Sequence, residues 1–331
     1  PVVLDAVEDG EPVSIPEQVD LLLGKAVALG VLRKTPAEEK RLALMFWNYP
    51  PGERNFSASH LNVPRSLETL TGALAGAGYD VPATAEERLI DAGQKMLAGF
   101  YRPETLPALY EEGLAAAFPV EAYEKWFATL PDFVRDDMSK RYDTPAESSH
   151  LHEIDGKPHF LIPRFTLGNL IVMPQPPRSG EVGASYHDGK VPPSHAYLAS
   201  YLYIREAFGA HALIHFGTHG TQEWTPGKDR GLWAYDYPYL ALGDLPVFYA
   251  YIQDNIAEAI QAKRRGRAVT VSHQTPPFAP AGLYDELRDI HDLIHEYEQL
   301  MEGAVRDETA TRISALALSS NLAADMEWDE A

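Results

Sequence analysis

The stretch HFGTHGTQEWTPGK, residues 215–228, sets His215, His219 and Glu223 among three glycines and ends on Lys228. Imidazole nitrogens and a carboxylate suit a borderline divalent cation, and the same groups move protons near neutral pH. A spacing of four would line the three side chains along one helical face. Gly217, Gly220 and Pro226 oppose a helix, and HALIHF before them has the pattern of a strand, so a loop that gathers the three is expected. The His-Glu-two residues-His spacing of zinc proteases is absent. So are the four-residue interval and the Ser or Thr after Lys that a nucleotide P-loop requires. His215 also fits a core histidine bonding backbone at a strand end. Two polar groups set between glycines gain little from packing, which favours a functional reading of His219 and Glu223.

Four further phrases carry candidate polar residues. NYPPGERN carries Asn48, QPPR carries Arg178, PPSH carries His195 and SHQTPPF carries His273. His195 at a helix start fits a functional placement and a cap-region role equally, and His273 at a strand end faces the same choice between cleft and packing. His291 and His295 share a helical face beside Asp292 and Glu296, which favours a solvated surface. KRRGR, residues 263–267, reads as a solvated helix end suited to the macrodipole, or as a guide for an anionic ligand.

The elements that must position these residues alternate. PEQVDLLLGKAVALGVLRK is helix-like after a polar lead, RLALMFWNY is an apolar run of strand length stopped by PPGE, and PRSLETLTGALAGAGYDV gives a helix and then a candidate strand start. Residues 84–145 turn helical, with ERLIDAGQKMLAGF, ETLPALYEEGLAAAF and EAYEKWFATL read as helices. HFLIP, NLIVMPQ, HALIHF, PVFYAYI and AVTVS then read as strands, with helices HAYLASYLYIREAFG and DNIAEAIQAKRRG among them. We expect an α/β fold of parallel βαβ units whose strand-end loops form a cleft, with a helical insertion and one long C-terminal helix, LYDELRDIHDLIHEYEQLMEGAV. The expected division is a helical lead over 1–40, an α/β unit with the insertion over 41–150 and a second α/β part over 151–331. Ligands of such sheets sit at the carboxyl ends of the strands, where NYPPGERN, QPPR, SHQTPPF and the histidine loop fall.

The 331 residues carry 28 Lys and Arg against 48 Asp and Glu, and a net charge of -20 repels nucleic acid and anionic membranes. No cysteine is present, so thiolate ligands, thiol nucleophiles and disulfides are excluded. No apolar run has the length of a membrane span and the start PVVLDAVEDGEPVS lacks signal-peptide regions, which together predict a cytoplasmic protein. The start without Met predicts a fragment of a longer chain.

The phrases NYPPGERN, GNLIVMPQPPR, YHDGKVPPSHAYLASYLYIREAFGAHALIHFGTHGTQEWTPGK and QAKRRGRAVTVSHQTPPFAPAGLYDEL resemble the family of the large subunit of aerobic cobaltochelatase, related to the porphyrin-binding subunit of magnesium chelatase. They cover most of residues 41–288, and the resemblance implies that the fragment is a central one. The chain departs from the family after NYPPGE, where it has RNFSASH, and after QPPR, where the loop is short. The resemblance implies insertion of Co2+, as substrate metal, into hydrogenobyrinic acid a,c-diamide. ATP and Mg2+ would be used by partner subunits, an AAA+ ATPase ring and a companion with an integrin-like metal-binding domain. Under this reading Glu223 is the base and metal-delivery group, His219 a metal ligand or proton relay, and His215 a ligand or a support for one. Arg178 and Lys228 would meet ring carboxylates, Asn48, His195 and His273 would be polar contacts, and Trp224 or Tyr201 would stack on the ring. The alternatives are magnesium chelation into a porphyrin and a tetrapyrrole- or metal-binding module without catalysis.

Overall fold

The computed structural model describes residues 4–8, 11–48, 52–58, 61–148, 151–179, 189–217, 220–251, 256–272, 285–320 and 322–326. The chain divides into two compact units, 1–275 and 276–331.

The first unit opens with an antiparallel hairpin, β1 (Leu4–Glu8) with β2 (Glu11–Ser14), and the helix α1 (Pro16–Lys34). Strand β3 (Leu42–Phe46) is followed by α2 (Val63–Gly76), α3 (Glu86–Tyr101) and α4 (Leu106–Glu111). Then come β4 (Ala115–Pro119), α5 (Val120–Phe127), α6 (Asp132–Tyr142), β5 (Leu151–Ile154) and β6 (Lys157–Pro163). The chain continues through β7 (Phe165–Leu167), β8 (Leu170–Pro174), α7 (His195–Leu202), β9 (Ala212–Phe216) and α8 (Tyr237–Leu242). Strand β10 (Val247–Tyr251), α9 (Ile256–Arg264) and β11 (Ala268–Ser272) complete it. The second unit holds α10 (Asp285–Gln299), α11 (Ala304–Ser319) and α12 (Leu322–Asp325).

Six strands form the main sheet in the order β11-β10-β9-β3-β8-β7, all parallel except β7 at the edge. All five residues of β3 and all five of β8 are buried, which is why LALMF and LIVMP are apolar at every position and not at alternate ones. Leu42, Leu44 and Phe46 face α2 and α3, while Ala43 and Met45 face the core that includes α5, α7 and α8. Each such large apolar side chain contributes about 1.5–3 kcal/mol on burial. Asn62 caps α2 by accepting from Arg65 N, and Ser194 caps α7 by accepting from Tyr197 N, so both helices start where a short oxygen-bearing side chain allows. A π-helical turn, Tyr203–Ala207, follows α7.

In order of appearance the parallel strands lie 2-1-3-4-5, so the winding reverses between β3 and β9. Open sheets of this kind bind ligands outside the carboxyl ends at that reversal. The sheet takes β3 from the segment expected as 41–150 and its other strands from the segment expected as 151–331, which it joins into one structure.

Four local expectations are corrected. EEGLAAAF is not helical throughout: Gly113 at φ 76 ends α4, and Ala115–Pro119 extends to pair antiparallel with β6 in a three-stranded sheet, β4-β6-β5. The polar lead holds the β1–β2 hairpin. The long C-terminal helix is broken, with Gly303 at φ 152 preceding a second helix, so the second unit is built of paired helices. Tyr79–Val81 does not form a strand.

Candidate functional site

Strand β9 alternates, so His215 shares a face with Leu213 and lies in register between Met45 of β3 and Tyr249 of β10. It is 1% exposed, and its ring lies 4.8 Å from that of Tyr249. The strand leaves the sheet through Gly217, held at φ 143, where an added Cβ would lie 2.7 Å from the Cβ of Trp47. Only glycine fits there, because Trp47 N–H bonds Phe216 O at 2.9 Å and draws the two strand exits together. Gln175 N–H bonds Phe46 O at 3.0 Å, so the exit of β8 joins them.

Past that exit the chain returns as a loop with a single 3-10 turn, Gln222–Trp224, as the glycines predict. Glu223 is fully buried, and its Oε1 accepts from Gly220 N–H at 3.1 Å and from the Tyr249 hydroxyl at 2.8 Å. Tyr249 is the hub: its oxygen also accepts from Gly220 N–H at 3.0 Å and from Gln222 Nε2 at 3.3 Å. Gln222 Oε1 accepts from Tyr201, whose oxygen accepts from Gln175 Nε2, and Tyr197 bonds Thr221 at 2.7 Å. Burial, and then the charge of Glu223, push the Tyr249 hydroxyl well above its ordinary pKa, and burial does the same for Tyr201. Both remain O–H donors at any physiological pH.

Two buried arginines hold the same loop by its backbone. Arg265 Nε donates to Glu223 O at 2.6 Å, Nη2 to Thr225 O at 2.6 Å, and Nη1 to Gly227 O and Lys228 O. Arg178 Nη1 donates to Trp224 O at 2.9 Å. A buried loop without ladder partners must satisfy its carbonyls somewhere, and guanidinium groups do so here. Arg178, expected against ring carboxylates, is 6% exposed and supports the loop instead. Arg265, expected at a solvated helix end, is 7% exposed, because it shares the inward helical face with the fully buried Ala262.

The other expected residues differ in their ties to this network. His195 is enclosed by the rings of Tyr123, Phe127 and Tyr142, with Nδ1 3.0 Å from Tyr123 OH and Nε2 3.4 Å from Asp143 O. Burial lowers its pKa, against the raising effect of the Asp143 carbonyl, so it stands in the aromatic core as a packed, neutral histidine. Asn48 is half-buried and donates to Gly52 O at 3.2 Å, Trp224 is half-buried, and Lys228 is exposed, with its backbone N–H on Asp236. Tyr201 is spent inside the network and presents no face for stacking. His219 and His273 lie outside the described residues. Among the described residues no group of three or more His, Asp or Glu could hold a metal ion, and no helix is long and apolar enough to cross a membrane.

A chain whose buried carboxylate and imidazole share the Tyr249 side chain in a parallel sheet has relatives. A family model described as CobN/Magnesium Chelatase matches residues 3–331. The chain belongs to the CobN/magnesium chelatase family. It is 32% identical over 287 residues to an aerobic cobaltochelatase subunit CobN of Sinorhizobium sp, which covers 85% of this chain and 22% of that protein. It is 33% identical over 312 residues to the magnesium-chelatase H subunit of Chlorobaculum parvum, covering 93% and 24%. The solved catalytic subunit of cobaltochelatase from Mycobacterium tuberculosis superposes with a TM-score of 0.68 at 30% identity, over 99% of this chain and 28% of that one. The chain thus spans about a quarter of the length of these CobN and chelatase relatives. Relatives named for cobaltochelatase and for magnesium chelatase match at similar identity, so the likeness does not separate the two branches.

Proposed function

We propose that this chain carries the catalytic loop of the large subunit of a cobaltochelatase, which inserts Co2+ into hydrogenobyrinic acid a,c-diamide while separate AAA+ and integrin-like subunits use ATP and Mg2+. The observation that carries the reading is the Glu223 carboxylate, fixed by Gly220 N–H and Tyr249 O–H beside β10, one strand from the order reversal of the sheet. Insertion must strip water from the cation, remove two pyrrolic protons and direct the freed lone pairs at the metal. A carboxylate serves both cation and proton, and an orientation set before the ring arrives leaves less to reorganise during the reaction. His215, packed on Tyr249, and His219 add imidazole nitrogens suited to Co2+ more than to Mg2+. Trp224, Lys228, Asn48 and His273 remain proposed ring contacts.

Magnesium insertion into a porphyrin is the second reading, favoured by the similar identity to the magnesium-chelatase relative. A fluorescence-quench titration of the chain with hydrogenobyrinic acid a,c-diamide and with protoporphyrin separates the two. Corrinoid-selective binding is expected; selective porphyrin binding would transfer the chain to the magnesium branch, and a ring held without insertion by the reconstituted complex would make it a binding module. In that complex Glu223→Gln should lower insertion by about 100-fold or more with ring affinity held within a few fold. Unchanged insertion would reject the base role.

A further inference from the structure

The second unit carries a pair of imidazoles that the Glu223 loop leaves unused. His291 and His295 lie one turn apart on the exposed side of α10, whose other side buries Ile290 and Leu293. Their Nε2 atoms face each other at 3.3 Å, with ring centroids 4.5 Å apart. In that contact one nitrogen donates and the other accepts, so two lone-pair positions share a single proton. Each remaining ring nitrogen faces a carboxylate: His291 Nδ1 is 3.5 Å from Asp292 Oδ1 and His295 Nδ1 is 3.7 Å from Glu298 Oε2.

That is the arrangement by which imidazoles hold metals. A histidine that ligates through one nitrogen gives its other N–H to a carboxylate, which fixes the tautomer and makes the ligating nitrogen more basic. A cation about 2.1 Å from each of two nitrogens 3.3 Å apart would see them at roughly 104°, near the tetrahedral angle. The rings turn readily to aim both lone pairs at it, because histidine χ2 is soft and the side chains are 54% and 58% exposed. The cation then takes the place of the shared proton and completes its shell with water.

We propose that His291 and His295 form a bidentate site for a late first-row divalent cation, Co2+, Ni2+, Cu2+ or Zn2+, that passes over Mg2+. Nitrogen donors favour the first set, whereas Mg2+ keeps oxygen ligands and its own waters. Asp292, Glu296 and Glu298 add negative potential around the pair, and the nearby Arg288 is tied to Asp289 at 3.2 Å. With two protein ligands the site is open, suited to holding a cation and giving it up. It stands independently of the reading of Glu223.

The test is calorimetric titration of the chain with Ni2+ in excess Mg2+, for the native sequence, His291→Gln, His295→Gln and Glu223→Gln. One Ni2+ equivalent is expected that Glu223→Gln leaves unchanged and that each histidine variant weakens by about tenfold or more, whether or not the Glu223 loop takes another. Both histidines are exposed, and unchanged helical circular dichroism shows that the fold is kept. No Ni2+ bound by the native chain, binding identical in the native chain and both histidine variants, or displacement of the histidine-dependent equivalent by Mg2+ would each overturn the proposal.

Discussion

Past the carboxyl ends of the parallel strands, the Glu223 carboxylate is held by a backbone N–H and a tyrosine hydroxyl, whereas before their amino ends Asp244 lies among three cations, Lys25, Arg205 and Arg267. The amino-end cations give their hydrogen bonds to main-chain carbonyls: Lys25 to Leu245 O, Arg205 to Leu240 O and Ala241 O, Arg267 to Gly243 O and Leu21 O. Those bonds tie α1 to the segment before β10, the π-helical turn to α8, and the residue before β11 to both α1 and Gly243, and Asp244 packs so closely on Gly24 that an added Cβ would meet its carboxylate. At the carboxyl end Arg265 and Arg178 also bind carbonyls, but the loop they hold presents a carboxylate with its own neutral donors. Half-buried charge at one end secures the chain; at the other, buried charge secures a loop that carries a second polar group.

Replacing one arginine at each end tests that contrast, with the largest effect. Arg265→Met leaves the carbonyls of Glu223, Thr225, Gly227 and Lys228 without their donor and should cost about 3 kcal/mol in urea unfolding. Hydrogen exchange over residues 221–228 should rise with it. Arg205→Met should also destabilise, yet leave exchange in that loop and ring binding as they were. Equal loss of loop protection in both variants would erase the distinction.

Glycines give the next contrast, with opposite signs. A Cβ at Gly220 would lie 2.5 Å from both the Tyr249 hydroxyl and Gln222 Oε1, so Gly220→Ala should cost about 2 kcal/mol and disturb Glu223. Gly72, inside α2, has open space around it, and Gly72→Ala should stabilise by about 0.5–1 kcal/mol. Thermal melts of the two variants check both signs. A smaller loss, about 1 kcal/mol, is expected for Tyr249→Phe, which keeps the ring against His215 but removes the donor to Glu223. In the reconstituted complex that variant should slow insertion about tenfold while leaving ring affinity unchanged. A matched fall in both would assign Tyr249 to packing alone.

These same residues mark what the sequence reveals. The five parallel strands are legible because each is an apolar run of strand length cut by Pro, Gly or polar loops, and Glu223 is legible because glycines on its approach leave packing no use for it. Tyr249 is not, since a tyrosine in PVFYAYI has the pattern of any core residue and only the register with His215 shows what its hydroxyl meets. Arg265 is hidden within a basic run whose neighbours Lys263 and Arg264 are exposed; helical phase alone turns it inward. Strand β4 is hidden because AAAF has helical propensity, which pairing with β6 overrides. His195 misleads for the opposite reason: its place after two prolines looks exposed, while its contacts with Tyr123 and Phe127 come from an α5 far away in sequence.

The effect specific to the amino end is a slope with pH. Burial first, then the charge of Arg267, lower the Lys25 pKa from the ordinary 10.5 to about 7, against the raising effect of Asp244. Between those two values the unfolded chain holds a proton that the native chain has released, so stability rises with pH from about 7 towards 10 through this group. Below about 7 both states are protonated and the slope vanishes. The neutral amine still donates to Leu245 O, so the contact of α1 survives the loss of charge. Lys25→Met should therefore flatten the rise in unfolding free energy between pH 7 and pH 10 and leave the acid side parallel to the native chain. Parallel curves across the whole range would mean that Lys25 stays charged in the fold, and that Asp244 outweighs burial there.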